Sequence, residues 1–372
     1  MKKIMENAVA GRRNNSDAGH AANAPASRVL KLLFFPWAGG TSRIYSRLCK
    51  DISKKVLSPS KLLVNASNAS SMSTSLGMTP LLTSTFQVEL CPIDLPGQLM
   101  RPANEGEEVI TDLPALANKL IQEIFLDNNS TTGQNTKVHK GEQYILFGHS
   151  FGAILAFEIA KKISDFNIQS PLALFVSASM PPSAGSLTSS TGRPVSEMSF
   201  HEMKDYFKSR GSEMDSFEGL TEEFENILAK SIRSDYKCLE TYQTNHAVLD
   251  CPLYAFGGDK DIIVNVEDIE RWKEHTTCTH TSLVDNHIFV GKGHFYLDDL
   301  EVSENLAEMI VANIEKVRHV CKCEDFIVTL DVFTPLTLNL YYRHLQVPTM
   351  ILLKVSNIFL LMCFRWMRSR SV

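Results

Sequence analysis

The sequence predicts an α/β fold, and three observations carry the prediction. Short apolar runs at 29–35, 144–147, 172–177 and 252–256 alternate with segments of helical periodicity. The loops that follow several of these runs are rich in Gly or Pro, as expected of buried strands in a largely parallel sheet. The pentapeptide Gly148-His149-Ser150-Phe151-Gly152 stands between one such run and a helical pattern, the setting of a nucleophile elbow. Together these specify an α/β-hydrolase fold: a mostly parallel central sheet, helices on both faces and an inserted α-helical lid.

In chain order, Val29 to Phe35 reads as the first buried strand, stopped by Pro36 and a Gly39-Gly40 turn. Residues 58–85 are rich in Ser, Thr, Asn and Leu without period and read as an inserted loop. Val88 to Leu95 is the next strand, ending at Pro96-Gly97, and Leu113 to Phe125 has helical spacing. A loop is expected over Asn128 to Gly141. The strand Tyr144 to Phe147 and the helix Ala153 to Ile163 flank the pentapeptide. The strand Leu172 to Ser177 closes at Met180-Pro181-Pro182. Residues 183–248 then break the rhythm with helical patterns near 199–209 and 220–242, where a lid would sit. Strands resume at 252–256 and 282–290, and Leu297 to Val317 is the last expected helix.

The hydrolase domain is therefore expected over 28–318, after a disordered segment at 1–27 and before a tail at 319–372. The first 27 residues lack the apolar stretch of a secretion signal, so the expected location is the cytoplasm. Asn65, Asn68 and Asn129 match the glycosylation pattern but mark only polar loops in that setting. In the tail, 347–364 is apolar, yet Pro348 opens it and Lys354, Ser356 and Asn357 interrupt it. A membrane span wants about 20 clean apolar residues, so membrane contact is not expected.

Composition is that of an ordinary folded chain, 44% hydrophobic and 21% charged over 372 residues. A net charge of -5 gives no reason to expect a nucleic-acid partner, which needs a basic face. The eight cysteines follow no regular spacing, and Cys321 and Cys323 are too close for paired zinc ligands. They read as reduced thiols, and no metal is expected.

The chemistry centres on Ser150, the expected nucleophile. Flanking glycines remove Cβ atoms from a tight, strained turn. The following N–H groups then face the substrate oxygen from a helix N-terminus. The base should come late in the chain, and His294 lies in the Gly-rich turn Gly291-Lys292-Gly293 just before the last helix. His287 falls within a strand, and His149 is expected to point away from the serine. Asp261 is the expected acid partner and Asp259 the reserve, both in the loop after the 252–256 strand, although either would also suit a helix cap. The backbone N–H groups of Ala38 and Phe151 are the expected oxyanion donors.

Phe35-Pro36-Trp37-Ala38-Gly39-Gly40, Leu95-Pro96-Gly97, Gly148 to Gly152, Gly258-x-x-Asp261 with Trp272, and Gly293-His294-Phe295-Tyr296-Leu297 together resemble the type II thioesterase family. The likeness spans about 28–318 and leans toward the family's animal medium-chain fatty-acyl branch. Arg233-Ser234-Asp235-Tyr236 also matches a family pattern. Gln98 departs from it, standing where many members carry Arg, and the Asp261-to-His294 separation is slightly long. The resemblance implies hydrolysis of acyl thioesters in fatty acid biosynthesis, with no cofactor beyond the phosphopantetheine of the partner. That partner would be the acyl-carrier protein of a fatty acid synthase or of a polyketide or peptide synthase. It also implies substrate contacts from Trp37, Tyr206 and Phe207, with Met203, Leu228 and Ile232 completing an apolar wall, although the same stripe suits ordinary helix packing. A carboxylesterase or lipase, or a non-catalytic binding protein, are the alternatives on this fold.

Overall fold

The computed structural model describes residues 29–57, 87–98, 101, 109–126, 138–184, 193–211, 221–243, 246–278, 284–324, 351–355 and 358–362. The expected segments at 1–27 and 58–85, and most of the loop at 128–141, lie outside them.

Six strands form one sheet: β1 (Val29–Phe35), β2 (Gln87–Pro92), β3 (Gln143–His149), β4 (Leu174–Ser177), β5 (Leu253–Gly258) and β6 (Val284–Phe289). Their spatial order is β2-β1-β3-β4-β5-β6, and every neighbouring pair is parallel. Between the strands run α1 (Ser46–Leu57), α2 (Leu113–Ile121), α3 (Phe151–Lys162), α4 (Phe200–Lys208), α5 (Glu222–Thr241) and α6 (Val266–Arg271), and α7 (Leu300–Glu324) follows β6. This is the architecture of the α/β-hydrolases.

Side chains of a strand alternate between faces, and both faces here are covered. Leu33, Phe35, Leu146, Leu174, Val176 and Ala255 pack under α2 and α3. Leu32, Phe34, Phe147, Phe175 and Phe256 pack under α1 and α7. That explains why the strands read as unbroken apolar runs and not as alternating ones. Each such buried side chain contributes about 1.5–3 kcal/mol relative to exposure. On the second face, Phe34, Phe147, Phe175, Phe256 and Phe289 make a row of rings running from strand to strand, with neighbouring centroids such as Phe34 and Phe147 5.4 Å apart.

Helix α3 is buried at every position from Phe151 to Ala160, as a helix enclosed on all sides must be. Its one buried carboxylate, Glu158, accepts from Tyr242 Oη at 2.7 Å and pairs with Lys161.

The chain leaves β1 toward the β2 edge and, from β3 onward, builds toward the β6 edge. The strand order thus reverses between β1 and β3, and the crevice above their carboxyl ends is where ligands bind in such sheets. Both the Pro36–Gly40 loop and Ser150 open into it.

Helices α4 and α5 form an insertion between β4 and β5. Ser199 starts α4 with a reciprocal capping box: its Oγ accepts the Glu202 N–H at 3.3 Å and its N–H donates to Glu202 Oε2 at 2.6 Å. Thr221 caps α5, whose first turn carries Glu222, Glu223 and Glu225 against the positive end of the helix dipole. The insertion has its own apolar cluster of Val195, Met198, Met203, Tyr206, Phe207, Leu228 and Ile232.

Several boundaries differ from expectation by a few residues, the last helix most clearly. The last helix begins at Leu300 because Tyr296–Asp298 form a 3-10 turn and Asp299 Oδ1 then accepts the N–H groups of Glu301 and Val302; it continues to Glu324, past the expected domain end. In the tail, β7 (Ile351–Val355) and β8 (Ile358–Met362) pair antiparallel. Among the described residues no helix is long and apolar enough to cross a membrane.

Candidate active site

The turn from β3 into α3 holds Ser150 at φ 55 and ψ -118, one of three non-glycine residues with positive φ among the described residues. Such a conformation costs on the order of 1–3 kcal/mol, and the surroundings over-determine it. The Ser150 N–H donates to Ser177 O on β4 at 2.8 Å. A Cβ on Gly148 would stand 2.1 Å from Gly152 O, and one on Gly152 would stand 2.0 Å from Phe35 O. Both obstacles are backbone, so only glycine allows β1, β3 and α3 to approach this closely.

Ser150 Oγ lies 3.0 Å from His294 Nε2, and His294 Nδ1 lies 2.8 Å from Asp261 Oδ2. Asp261 Oδ1 accepts the N–H groups of Ile263 and Val264 at 2.8 and 3.0 Å, so the carboxylate is fixed in position and Nδ1 carries the hydrogen. That leaves Nε2 free to accept from the serine. The side chains of His294 and Asp261 are 3% and 1% exposed, which keeps water from competing for these bonds.

The loops bearing the two partners are tied together. Gly258 ends β5 against the loop after β6, where a Cβ would meet Lys292 O at 2.1 Å. The Lys260 N–H donates to the same carbonyl at 2.9 Å, and the Gly291 N–H donates to Asp259 Oδ1 at 2.5 Å. Asp259 therefore braces the histidine loop and does not reach His294. Neither aspartate caps α6, a position that Asn265 takes.

The ring nitrogens of His149 bond neither Ser150 nor the acid, but the residues around them. Its Nε2–H donates to the backbone carbonyl of His294 at 3.1 Å, and its Nδ1 accepts from the Ser177 hydroxyl at 2.8 Å. Ser177 in turn accepts from Tyr296 Oη at 2.5 Å. Burial holds the His149 imidazole well below its ordinary pKa, with the His294 ring adding to the effect. It is a neutral prop beneath His294. His287 sits exposed on β6 with its ring against Phe289.

Ala38 lies in the loop after β1, closed by a hydrogen bond from the Gly40 N–H to Trp37 O at 2.9 Å, and Phe151 begins α3. The Trp37 ring meets His149 and Phe295 edge-on at 5.5 and 5.7 Å. Tyr206 and Phe207 are buried in the insertion's own cluster, and Phe295, next to His294, packs against that cluster. The insertion thus touches the site through Phe295. Among the described residues no group of His, Cys, Asp or Glu is arranged to hold a metal.

A chain of this fold with a buried Ser–His–Asp relay can perform acyl transfer. A family model described as the thioesterase domain matches residues 80–314. The chain belongs to the thioesterase family. Over 198 residues it is 29% identical to the gramicidin S biosynthesis protein GrsT of Aneurinibacillus migulanus, a match covering 51% of this chain and 67% of that protein. Thioesterase TesA of Mycobacterium leprae is 27% identical over 320 residues, covering 84% of this chain and 95% of its own length. Among solved structures, the type II thioesterase BorB from the borrelidin biosynthetic cluster aligns at 26% identity with a TM-score of 0.50, covering 78% of this chain and 94% of BorB.

Within the thioesterase family fold, two of the contacts described here had no clear sequence signal. The His149 prop is hidden because a histidine beside a nucleophile looks like a spacer. The buried carboxylate Asp235 stood in a family pattern, but nothing in the sequence said what it holds: its Oδ2 accepts the Gly39 N–H at 2.8 Å.

Proposed function

We propose that this thioesterase uses Ser150 as nucleophile, His294 as base and Asp261 as orienting acid. Its substrate would be an acyl thioester on the phosphopantetheine arm of an acyl-carrier protein. The observation that carries the reading is the unbroken hydrogen-bonded relay Ser150–His294–Asp261 at the crevice of a thioesterase-family chain.

Ser150 Oγ attacks the thioester carbonyl carbon as its proton passes to His294 Nε2. The oxygen that becomes negative is met by the N–H groups of Ala38 and Phe151, the second of which carries the positive end of α3. The C–S bond breaks, and the departing sulfur takes the proton from His294. A water then gives a proton to His294 and its oxygen to the acyl carbon, releasing the free acid and restoring Ser150. The reaction needs no cofactor beyond the arm that carries the acyl group.

A fatty-acyl chain is our first choice of cargo. The cluster of Met203, Tyr206, Phe207, Leu228 and Ile232 borders the site at Phe295 and is wholly apolar apart from the tyrosine hydroxyl. With Trp37, whose ring meets Phe295 edge-on, it would shelter an alkyl chain. The names of GrsT and BorB extend the choice to peptidyl and polyketide groups. Among the described residues Cys49, Cys91, Cys238, Cys251 and Cys278 are free thiols, in keeping with a cytoplasmic setting.

The test compares carrier-bound acyl thioesters of several chain lengths with matched oxygen esters, using wild type and Ser150→Ala. Thioester turnover should fall by roughly 1,000-fold or more in Ser150→Ala. Full turnover without the serine would end the reading, and a preference for oxygen esters would convert it to a carboxylesterase.

A further inference from the structure

The chain leaves the Trp37–Gly40 loop through the 3-10 turn Ser42–Tyr45 and passes directly into α1. That turn is pinned at the rim of the crevice. The Ser42 N–H and hydroxyl donate to Asp94 Oδ1 and Oδ2 at 2.8 and 3.0 Å, in the loop after β2. The turn also packs against Tyr296–Asp298, the turn that follows His294 and Phe295. From the rim α1 runs back along the flank of the sheet, as a helix joining two parallel strands must.

Arg43, Arg47, Lys50 and Lys54 are all exposed on this segment. Spacings of three and four residues set side chains on one side of a helix. The four cations therefore form a stripe that starts at the rim and extends about 16 Å at a helical rise of 1.5 Å per residue. The other side is apolar, with Tyr45, Leu48 and Ile52 buried in the core on the face covered by α1 and α7.

The stripe is short of counter-charge. Asp51, the acid on α1, is turned inward: it accepts from Ser303 on α7 at 2.9 Å and pairs with Lys54 at 2.7 Å, and Arg47 acts on it only at longer range. Glu304 and Glu308 of α7 pair with Lys55. Among the described residues no carboxylate lies within ion-pair distance of Arg43, Arg47 or Lys50. The segment 58–86, which continues from α1, contains no Asp or Glu. In a chain of net charge -5 this is a local reversal of sign.

We propose that the Arg43–Arg47–Lys50–Lys54 stripe is the docking surface for the carrier protein, receiving an acidic helix on the face from which the acylated arm extends. The proposal rests on the hydrolytic reading given above and deepens it by naming where the carried substrate is presented. A partner lying along α1 has one end at Arg43, so its arm starts beside the loop that holds Ala38. Exposed ion pairs add little individually, but a row of like charges speeds encounter and orients the incoming face. Other polyanions fit less well. The apolar side of α1 is buried in the protein's own core, leaving none to enter a bilayer. A single short stripe on a chain of net negative charge is a small footprint for nucleic acid.

The experiment places one acyl group on the carrier proteins of a fatty acid, a polyketide and a peptide synthase, and on free pantetheine as the reference. It compares wild type, Arg47→Glu, the triple variant Arg43→Glu, Arg47→Glu, Lys50→Glu, and a control, Lys273→Glu. Lys273 is exposed on the turn after α6, whose Ile269 and Trp272 belong to the core on the other face of the sheet. On the carrier with the lowest wild-type KM, the triple variant should raise KM roughly tenfold or more, and Arg47→Glu about two- to threefold, with kcat little changed. Both should hydrolyse free acyl-pantetheine as wild type does, which also reports that they fold. Lys273→Glu should match wild type on both substrates. Raising salt from about 20 to 300 mM should lower wild-type kcat/KM on the carrier several-fold and that of the triple variant little. Binding of labelled acyl-carrier to Ser150→Ala should weaken by the same factor when the stripe is reversed.

A wild-type KM for the carrier in the triple variant would overturn the proposal, as would an equal rise in Lys273→Glu. Equal kcat/KM for carrier-bound and free pantetheine thioesters in wild type would do the same. So would stripe-dependent retention on phosphatidylserine vesicles or duplex DNA with carrier binding unchanged. Full turnover in Ser150→Ala is a separate result and strikes the hydrolytic reading, since KM differences between the carrier and free pantetheine do not depend on which group is the nucleophile.

Discussion

The backbone carbonyl of His294 accepts a hydrogen bond from the Nε2–H of His149 at 3.1 Å, so the residue before the serine holds the residue that would activate it. His149 is fully buried, and its other nitrogen is occupied by Ser177. Replacing it by Leu would leave the His294 carbonyl without its donor, at a cost of about 1–3 kcal/mol. We expect His149→Leu to lower kcat by roughly tenfold and His149→Gln, which keeps a donor, to recover part of it. Steady-state kinetics on one thioester check this, with thermal melts to separate the two effects.

His149 should also leave a mark on stability. Its folded-state pKa lies below the unfolded value of 6.5, so below that pH the unfolded chain binds a proton that the folded chain does not. Its contribution is therefore present above 6.5 and lost as pH falls, by at most about 1.4 kcal/mol per pH unit. Urea titrations from pH 5 to 8 should show this loss in wild type and not in His149→Leu.

Asp235 works in the opposite direction. Its pKa is raised from 3.8 to about 8 on folding, so the folded chain holds the extra proton between those values. Stability from this group is complete below 3.8 and declines as pH rises through 8. Asp235→Asn should therefore lose less stability than wild type between pH 5 and 9. A parallel decline in both proteins would refute the assignment.

Asp261 and Asp259 should separate cleanly. Asp261 holds His294 Nδ1 at 2.8 Å, whereas Asp259 bonds the Gly291 N–H. We expect Asp261→Asn to reduce kcat by about 1,000-fold or more, because the amide favours the wrong imidazole tautomer. Asp259→Asn should cost no more than about tenfold, by loosening a loop held chiefly by other bonds. The reverse ranking would move the acid role to Asp259.

Gly152 tests the elbow itself. A Cβ there would sit 2.0 Å from Phe35 O, a backbone atom of β1 that cannot swing aside. Gly152→Ala should destabilise the protein by more than about 3 kcal/mol or prevent its folding, read as loss of soluble protein or a large drop in Tm.

Much of this could be anticipated from local pattern. Uninterrupted apolar runs such as Leu30 to Phe35 announce strands buried on both faces. Gly148 and Gly152 around Ser150 announce a turn that no Cβ can enter. These signals are short-range: period, propensity and steric exclusion act within a few residues. Helix starts were less legible, since the Tyr296–Asp298 turn and the cap by Asp299 delay α7 in a way that periodicity alone does not reveal.

By itself, then, the sequence determined a doubly covered parallel sheet and set Ser150, Asp261 and His294 in loops at strand ends. Only the tertiary structure decided that His149 supports His294 and that Asp235 holds the Gly39 turn. Those contacts join residues 145 and 196 positions apart. A hydrogen bond of that kind depends on the distance and angle reached when the whole sheet and its insertion have packed, and no local pattern of residues encodes either.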